Sequence, residues 1–352
     1  MSRILNTGVE PGHIGVFSVN DGGAVTSTGA DVRTGGYALD INCAGNNHSN
    51  HEFEVPVAET YTRFYIKFDD RTQAASILSF EDDVGNPQIR VLATGEVDRW
   101  DGAAWDNLGD FGGFAADDTW YRFEIRQAIT TSQIYLDGVV VVKIDGVTVL
   151  NLSNVNNNGG NFGTDFTMAV AVFGNQDGAT SANHIFYDDL GINDVFNGVN
   201  DAWLGIGAVY GLRPDDVGNY SQFTPFPNSG EDNYEDVDEV PPDDDTSYVF
   251  STGYGQIDTY EFEDLADLGI SALSLIAAVT WQIRAKVPIA GSANISAMYR
   301  YGNTFDYQGS AMEVSSTDYV YLSHIEDEDP VIGGTWLADS IDNSQFGIKQ
   351  PV

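Results

Sequence analysis

The sequence predicts an all-β protein of two β-sandwich domains, and three observations carry that expectation. Apolar and polar residues alternate with a period of two along short runs, and turn-forming pairs such as Asp-Gly separate those runs. No segment shows the capped three-four apolar repeat of an amphipathic helix. The chain has 352 residues, 42% of them hydrophobic and 12% aromatic, enough for two cores. Thirty-eight glycines supply turns, while the helix former lysine occurs only at Lys67, Lys143, Lys286 and Lys349.

Tyr61 to Phe68 is the first clear strand, with Thr62, Phe64, Ile66 and Phe68 on one face and Arg63 and Lys67 on the other. Ile89, Val91 and Ala93 repeat the pattern, as do Tyr121, Phe123 and Ile125 between Arg122 and Glu124. Such alternation predicts sheets with one buried face and one wet face. Ile134 to Leu136, Val139 to Ile144 and Val147 to Leu152 are broken by Asp137-Gly138 and Asp145-Gly146. Both pairs predict type I′ turns, and together a three-strand meander. Phe166 to Phe173 and His184 to Leu190 are two more strands, flanking a polar tip.

Beyond Asn200 the texture changes. Ala202 to Leu212 reads as a strand, and Pro214 to Gly230 as a Pro-, Asn- and Gly-rich connection. Residues 231–245 form an acidic segment with Pro241-Pro242, expected as a linker or as a loop pinned by something else. Strands follow at Tyr248 to Thr252, Ser271 to Ile283, Ile295 to Tyr301, Asp318 to Ile325 and Phe346 to Lys349. Within them, Ala272 to Trp281 is the longest apolar stretch and is expected to be buried. The domains expected are 1–197 and 198–352, the second serving assembly or partner binding.

A net charge of −38, from 53 acidic and 15 basic side chains, disfavours direct contact with nucleic acid or anionic lipid. It suits a cationic partner, bound divalent cations, concentrated salt, or simply a well-hydrated surface. Cys43 is the single cysteine, so an intrachain disulfide and a zinc ribbon are excluded. Met1 to Asn6 lacks an apolar signal core, and no apolar run reaches the ~18 residues of a membrane span. The expectation is cytoplasmic synthesis without membrane insertion.

Oxygen-rich clusters suggest calcium, the preferred one being Asp188, Asp189 and Asp194. Further clusters lie at Asp69-Asp70, Glu81-Asp82-Asp83 and Glu326 to Asp329. Cys43, His48 and His51 are close enough to be considered transition-metal ligands, but lack a fourth partner. Tyr299, Tyr301, Tyr319 and Tyr321 are dense enough to form an interface or a glycan contact, with interface favoured.

The run Thr119-Trp120-Tyr121-Arg122-Phe123-Glu124-Ile125, the Lys143-to-Val147 hairpin and the Ile185-to-Asp194 strand with Asp188-Asp189-Leu190 carry a resemblance. In that order they resemble the concanavalin-A-like, laminin-G-like jelly roll, which implies that fold for the first domain. It hosts lectins, hydrolases and structural modules alike. The segments Val237 to Val249, Phe262-Glu263-Asp264-Leu265 and Phe346-Gly347-Ile348-Lys349 make the whole chain similar to tailed-bacteriophage virion proteins. That resemblance implies a non-enzymatic particle component, in capsid decoration, tail or fibre. Its partners would be other virion proteins and copies of itself, assembled in the host cytoplasm. The alternative is an adhesin for host surface glycans.

A third reading is glycoside hydrolysis. Glu96-Val97-Asp98-Arg99-Trp100-Asp101 is similar to the Glu-x-Asp-x-x-Glu strand of jelly-roll glucanases, but ends in the shorter Asp101 before Gly102. No enzyme, no catalytic residue and no cofactor beyond a structural calcium are expected.

Overall fold

The computed structural model describes residues 3–17, 19–20, 25–73, 75–131, 136–159, 166–176, 180–196, 198–228, 230, 232–302 and 304–351. The chain divides into two compact units, Met1–Tyr210 and Gly211–Val352. Both are all-β sandwiches, and the first is a jelly roll.

The first unit contains β1 (Arg3–Thr7), β2 (Val19–Asn20), β3 (Val25–Thr28), β4 (Ala38–Ala44), β5 (His48–Val57), β6 (Glu59–Phe68), β7 (Ser76–Glu81) and β8 (Pro87–Leu92). It continues with β9 (Glu96–Trp100), β10 (Trp105–Asp110), β11 (Tyr121–Ala128), β12 (Gly138–Ile144), β13 (Val147–Val155), β14 (Met168–Gly174) and β15 (Thr180–Asn193). One sheet runs β13-β12-β11-β6-β15-β4-β3, with β1 also on β15; the other runs β10-β9-β8-β7-β14-β5-β2. The core lies between them. Phe64 stacks on Phe123 at 5.0 Å and meets Phe173 and Tyr187 edge-on. Rings of this size dominate the hydrophobic stabilisation, and Tyr187 satisfies its hydroxyl by donating to the Ile77 carbonyl at 2.9 Å.

The two Asp-Gly pairs behave differently. Asp145 (φ 52°) and Gly146 (φ 84°) both take the left-handed region and set Ile144 opposite Val147, as a type I′ turn requires. Asp137-Gly138 is not a hairpin turn. The Asp137 carboxylate instead accepts from the Thr130 hydroxyl (2.6 Å) and the Thr131 N–H (2.9 Å), and Gly138 opens β12. Of the strand expected at 134–136, only Leu136 lies within the described residues, and it is in no strand.

The expected wet face of β6 is also covered. Arg63 is 4% exposed and Lys67 9%, because residues 31–34 and 203–209 lie over this side of the sheet. Ala202 to Leu212 accordingly forms no strand. Carboxylates of the sheet face satisfy its amides in place of a neighbouring strand: Glu124 accepts from Gly205 N–H at 2.9 Å and Asp189 from Val209 N–H at 2.5 Å.

The second unit contains β16 (Pro214–Ser221), β17 (Thr224–Phe226), β18 (Tyr248–Phe250), β19 (Ile257–Phe262), β20 (Leu275–Ile276) and β21 (Val279–Ala285). Then come β22 (Ala293–Tyr301), β23 (Phe305–Val314), β24 (Val320–Glu326), β25 (Trp336–Leu337), the short α1 (Ala338–Asp342) and β26 (Ser344–Lys349). The sheet β16-β19-β26-β22-β23 and the β21-β24 ribbon enclose Trp281, Ile283, Tyr299, Trp336 and Phe346. Pro214 to Ser221, read as a connection, is an edge strand with its proline at the first position, where no ladder donor is lost. Ala272 to Trp281 is not one buried strand: Leu273 and Leu275 are 84% and 73% exposed, and the run splits between β20 and β21. The acidic segment is held in place. The Asp244 carboxylate accepts from Arg284 Nε and Nη2 at 2.5 and 2.8 Å, and Asp245 pairs with Lys286.

Candidate functional site

Strand alternation on β8, β9 and β10 turns Ile89, Val91 and Val97 into the core and sends Arg90, Asp98 and Trp100 outward. Cross-strand register places Trp105 opposite Trp100 and Asn107 opposite Asp98, so both tryptophans share the outer face. Their rings meet edge-to-face at 5.3 Å. The Arg90 guanidinium covers Trp105 at 4.4 Å and bonds Asp98 at 2.9 Å, while Asn107 donates to the other Asp98 oxygen at 3.0 Å.

Register carries the row onward from Arg90 to Ser79, Val172 and Asn50. Ser79 donates to Gln176 at 2.6 Å, and Gln176 reaches Glu81. The Asn50 Oδ1 is buried without a hydrogen-bond partner. The result is an outer face with an aromatic pair at one end and polar side chains on five of its six strands, Val172 interrupting the row.

The same strand bears the glucanase-like motif, and its carboxylates are otherwise engaged. Glu96 and Asp98 lie side by side on one strand face; Glu96 accepts from the Thr94 hydroxyl and Asp98 from Arg90 and Asn107. Asp101 closes its own turn, and the N–H groups of Ala104 and Ala103 hold its carboxyl below the usual range. Retaining hydrolysis needs two carboxyls facing each other at about 5.5 Å across a sugar. Asp101 lies past the end of β9, in the turn to β10.

The outer face of the other sheet is occupied by the chain itself. Trp203 packs on Tyr61 at 5.2 Å, Lys143 lies 3.6 Å over Trp203, and a Cβ at Gly207 would meet Arg63 Nη1 at 2.3 Å. Asp188 and Asp189 sit in a bulge of β15, Asp189 at φ 50°, and both are fully buried. Asp188 accepts from Arg33 N–H (2.7 Å), Thr34 N–H (3.2 Å) and Asp189 N–H (2.7 Å). Asp189 accepts from the Thr34 hydroxyl, Val209 N–H and the Arg33 guanidinium. Asp194 is engaged separately by Phe196 N–H at 2.9 Å. Asp188 and Asp189 thus share their donors around Arg33 and Thr34, with Asp194 held by a different N–H, and among the described residues no group of three His, Cys, Asp or Glu side chains that could hold a metal is found.

Cys43 points into the core and bonds the Ile41 carbonyl, with burial pushing its thiol up to about 12. His48 and His51 are three apart on β5 and so face opposite sides of the sheet; burial pulls His51 down to about 4.

Comparison with known proteins gives distant structural matches. No protein-family model and no curated protein matches the chain. Among solved structures, an endo-β-1,4-glucuronan lyase from the fungus Trichoderma reesei is 14% identical, with a TM-score of 0.41 over 55% of this chain and 97% of that one. Domain 4 of an extracellular arabinanase from Geobacillus stearothermophilus, in complex with arabinotriose, is 13% identical, with a TM-score of 0.38 over 55% and 92%. A carbohydrate-binding module from Bacillus subtilis is 11% identical, with a TM-score of 0.30 over 49% and 96%. Likenesses this distant assign no ligand and no residue role.

In the second unit the four tyrosines separate. Tyr299 is fully buried against Trp336 and Phe346, donating to Asp329, and is part of the core. Tyr301 packs partly buried beside it. Tyr319 and Tyr321 flank Arg284 at 5.2 and 4.9 Å, next to Asp244 and Asp245. No sequence motif marks Arg90, Ser79, Gln176 or Asn50. The alternation around Ile89 and Val91 does place Arg90 outward, but the partners it meets come from other strands.

Proposed function

We propose that the chain is a non-enzymatic glycan-binding protein whose ligand lies on the outer face of β8, β9 and β10. The observation that carries this is the Trp100–Trp105 pair, half-buried on the solvent side of a sheet edge beside Arg90, Asp98 and Asn107. Sugar rings offer C–H faces to aromatic rings and hydroxyls to carboxylates and amides, and this row supplies both. Carried on a tailed-phage particle, as the sequence resemblance implies, such a module would tether the particle to host surface glycans.

A glycan array followed by calorimetry tests this. Trp100→Ala and Trp105→Ala should each weaken binding about tenfold, equivalent to ~1.4 kcal/mol, and a chelator should leave it unchanged. Silence across the array, or full affinity in both variants, would refute the reading. Turnover of any bound glycan that disappears in Glu96→Gln would replace it with hydrolysis.

A further inference from the structure

We propose that a second glycan subsite lies in the groove between β10 and β13, and that it takes a neutral sugar chain continuing over the β10 edge from the tryptophan pair. This rests on the glycan-binding reading above. The groove holds about 350 Å³, at the small end of ligand sites, and is lined by Arg99, Asp106, Asn107, Leu108, Leu136, Asn154, Val155 and Asn156.

Two β-bulges on facing edge strands shape it. On β10, register slips between Asn107 and Gly109, so Leu108 is the extra residue. On β13, Ser153 pairs with Val139 and Val155 with Gly138, so Asn154 is the extra residue, held at φ 59°. Bulges re-aim side chains out of the ladder, and asparagine adopts the left-handed region more readily than most non-glycine residues. Gly109 lets the two strands close up below: a Cβ there would meet Leu150 Cδ1 at 3.1 Å.

The lining selects against charge. Arg99 and Asp106 neutralise each other at 3.1 Å, three asparagine amides offer donors and acceptors, and Leu108, Leu136 and Val155 give apolar surface. Leu136 is 60% exposed, which leaves hydrophobic area for a sugar face to cover. The −38 net charge repels acidic chains. Asn107 joins the two sites, lining the groove while donating to Asp98 of the tryptophan face.

Calorimetry with neutral gluco-, xylo- and galacto-oligosaccharides, from disaccharide to hexasaccharide, tests the proposal on the full chain. Affinity should rise with length in the unsubstituted protein. Leu136→Trp, which fills the groove, and Asn156→Ala, which removes an amide, should each cut hexasaccharide affinity about tenfold, the weight of one or two hydrogen bonds, and leave the disaccharide unchanged. Length-independent binding, or undiminished hexasaccharide affinity in both variants, overturns the groove alone. Tighter binding of oligouronates than of neutral chains overturns the ligand class. Absence of binding at every length overturns both this site and the tryptophan reading.

Discussion

The charge of Glu10 is felt by those of Asp188 and Asp189, and Arg33 and Arg63 are the cations at hand. Burial pushes Glu10 up to about 8, against the Gly36 N–H that lowers it, with the Asp188 and Asp189 charges adding to the rise. Asp188 is pushed up to about 7 by burial and then by Asp189, despite the N–H groups of Arg33 and Thr34. Both groups therefore bind protons more tightly folded than unfolded, where carboxyls titrate near ~4. Their contribution to stability is fully present below that value and is lost as pH rises through about 7 and 8. The thermal midpoint should fall between about pH 5 and about pH 9, and Glu10→Gln, which cannot titrate, should flatten the fall. A midpoint that climbs over this range would contradict the assignment.

At the scale of elements, the acidic segment shows how a run that cannot bury itself is kept ordered. Asp244 and Asp245 dock on the outer face of the β21-β24 ribbon, where Arg284 lies between Tyr319 and Tyr321 and Lys286 beside Tyr319. The Arg284 pair is two-pronged and only 18% exposed on the arginine side, whereas the Asp245 side chain is 73% exposed. Exposed pairs contribute ~0–1 kcal/mol, and better-formed bidentate ones more. Arg284→Ala should hasten proteolytic cleavage within residues 240–247 severalfold, and Lys286→Ala much less. Equal protection in both variants would mean that the segment is held by something other than this clasp.

For the molecule as a whole, 53 acidic side chains against 15 basic ones make self-repulsion the long-range electrostatic force. Raising salt from 0.1 M to 1 M shortens the screening length from about 10 Å to about 3 Å. Repulsion between distant surface charges is then screened, while the buried pairs at Arg33–Asp189 and Arg90–Asp98 are little affected. The melting temperature should rise by several degrees over that range. A falling one would show that exposed ion pairs outweigh repulsion.

Local pattern by itself determined the all-β class, the inward faces of β6, β8 and β11, and the Asp145-Gly146 hairpin, because alternation and turn geometry act over a few residues. It also kept Trp100 with Glu96 and Asp98 on one strand. Contacts between residues far apart in sequence decided the rest. Sequence alternation put Arg63 and Lys67 outward but could not show that residues 31–34 and 203–209 would cover that face. The period of two identifies a strand's two sides, whereas what lies over each side depends on which distant segments return there. Trp105 meets Trp100 across the local turn that Asp101 closes, whereas Leu108 came to face Asn154 only through sheet closure.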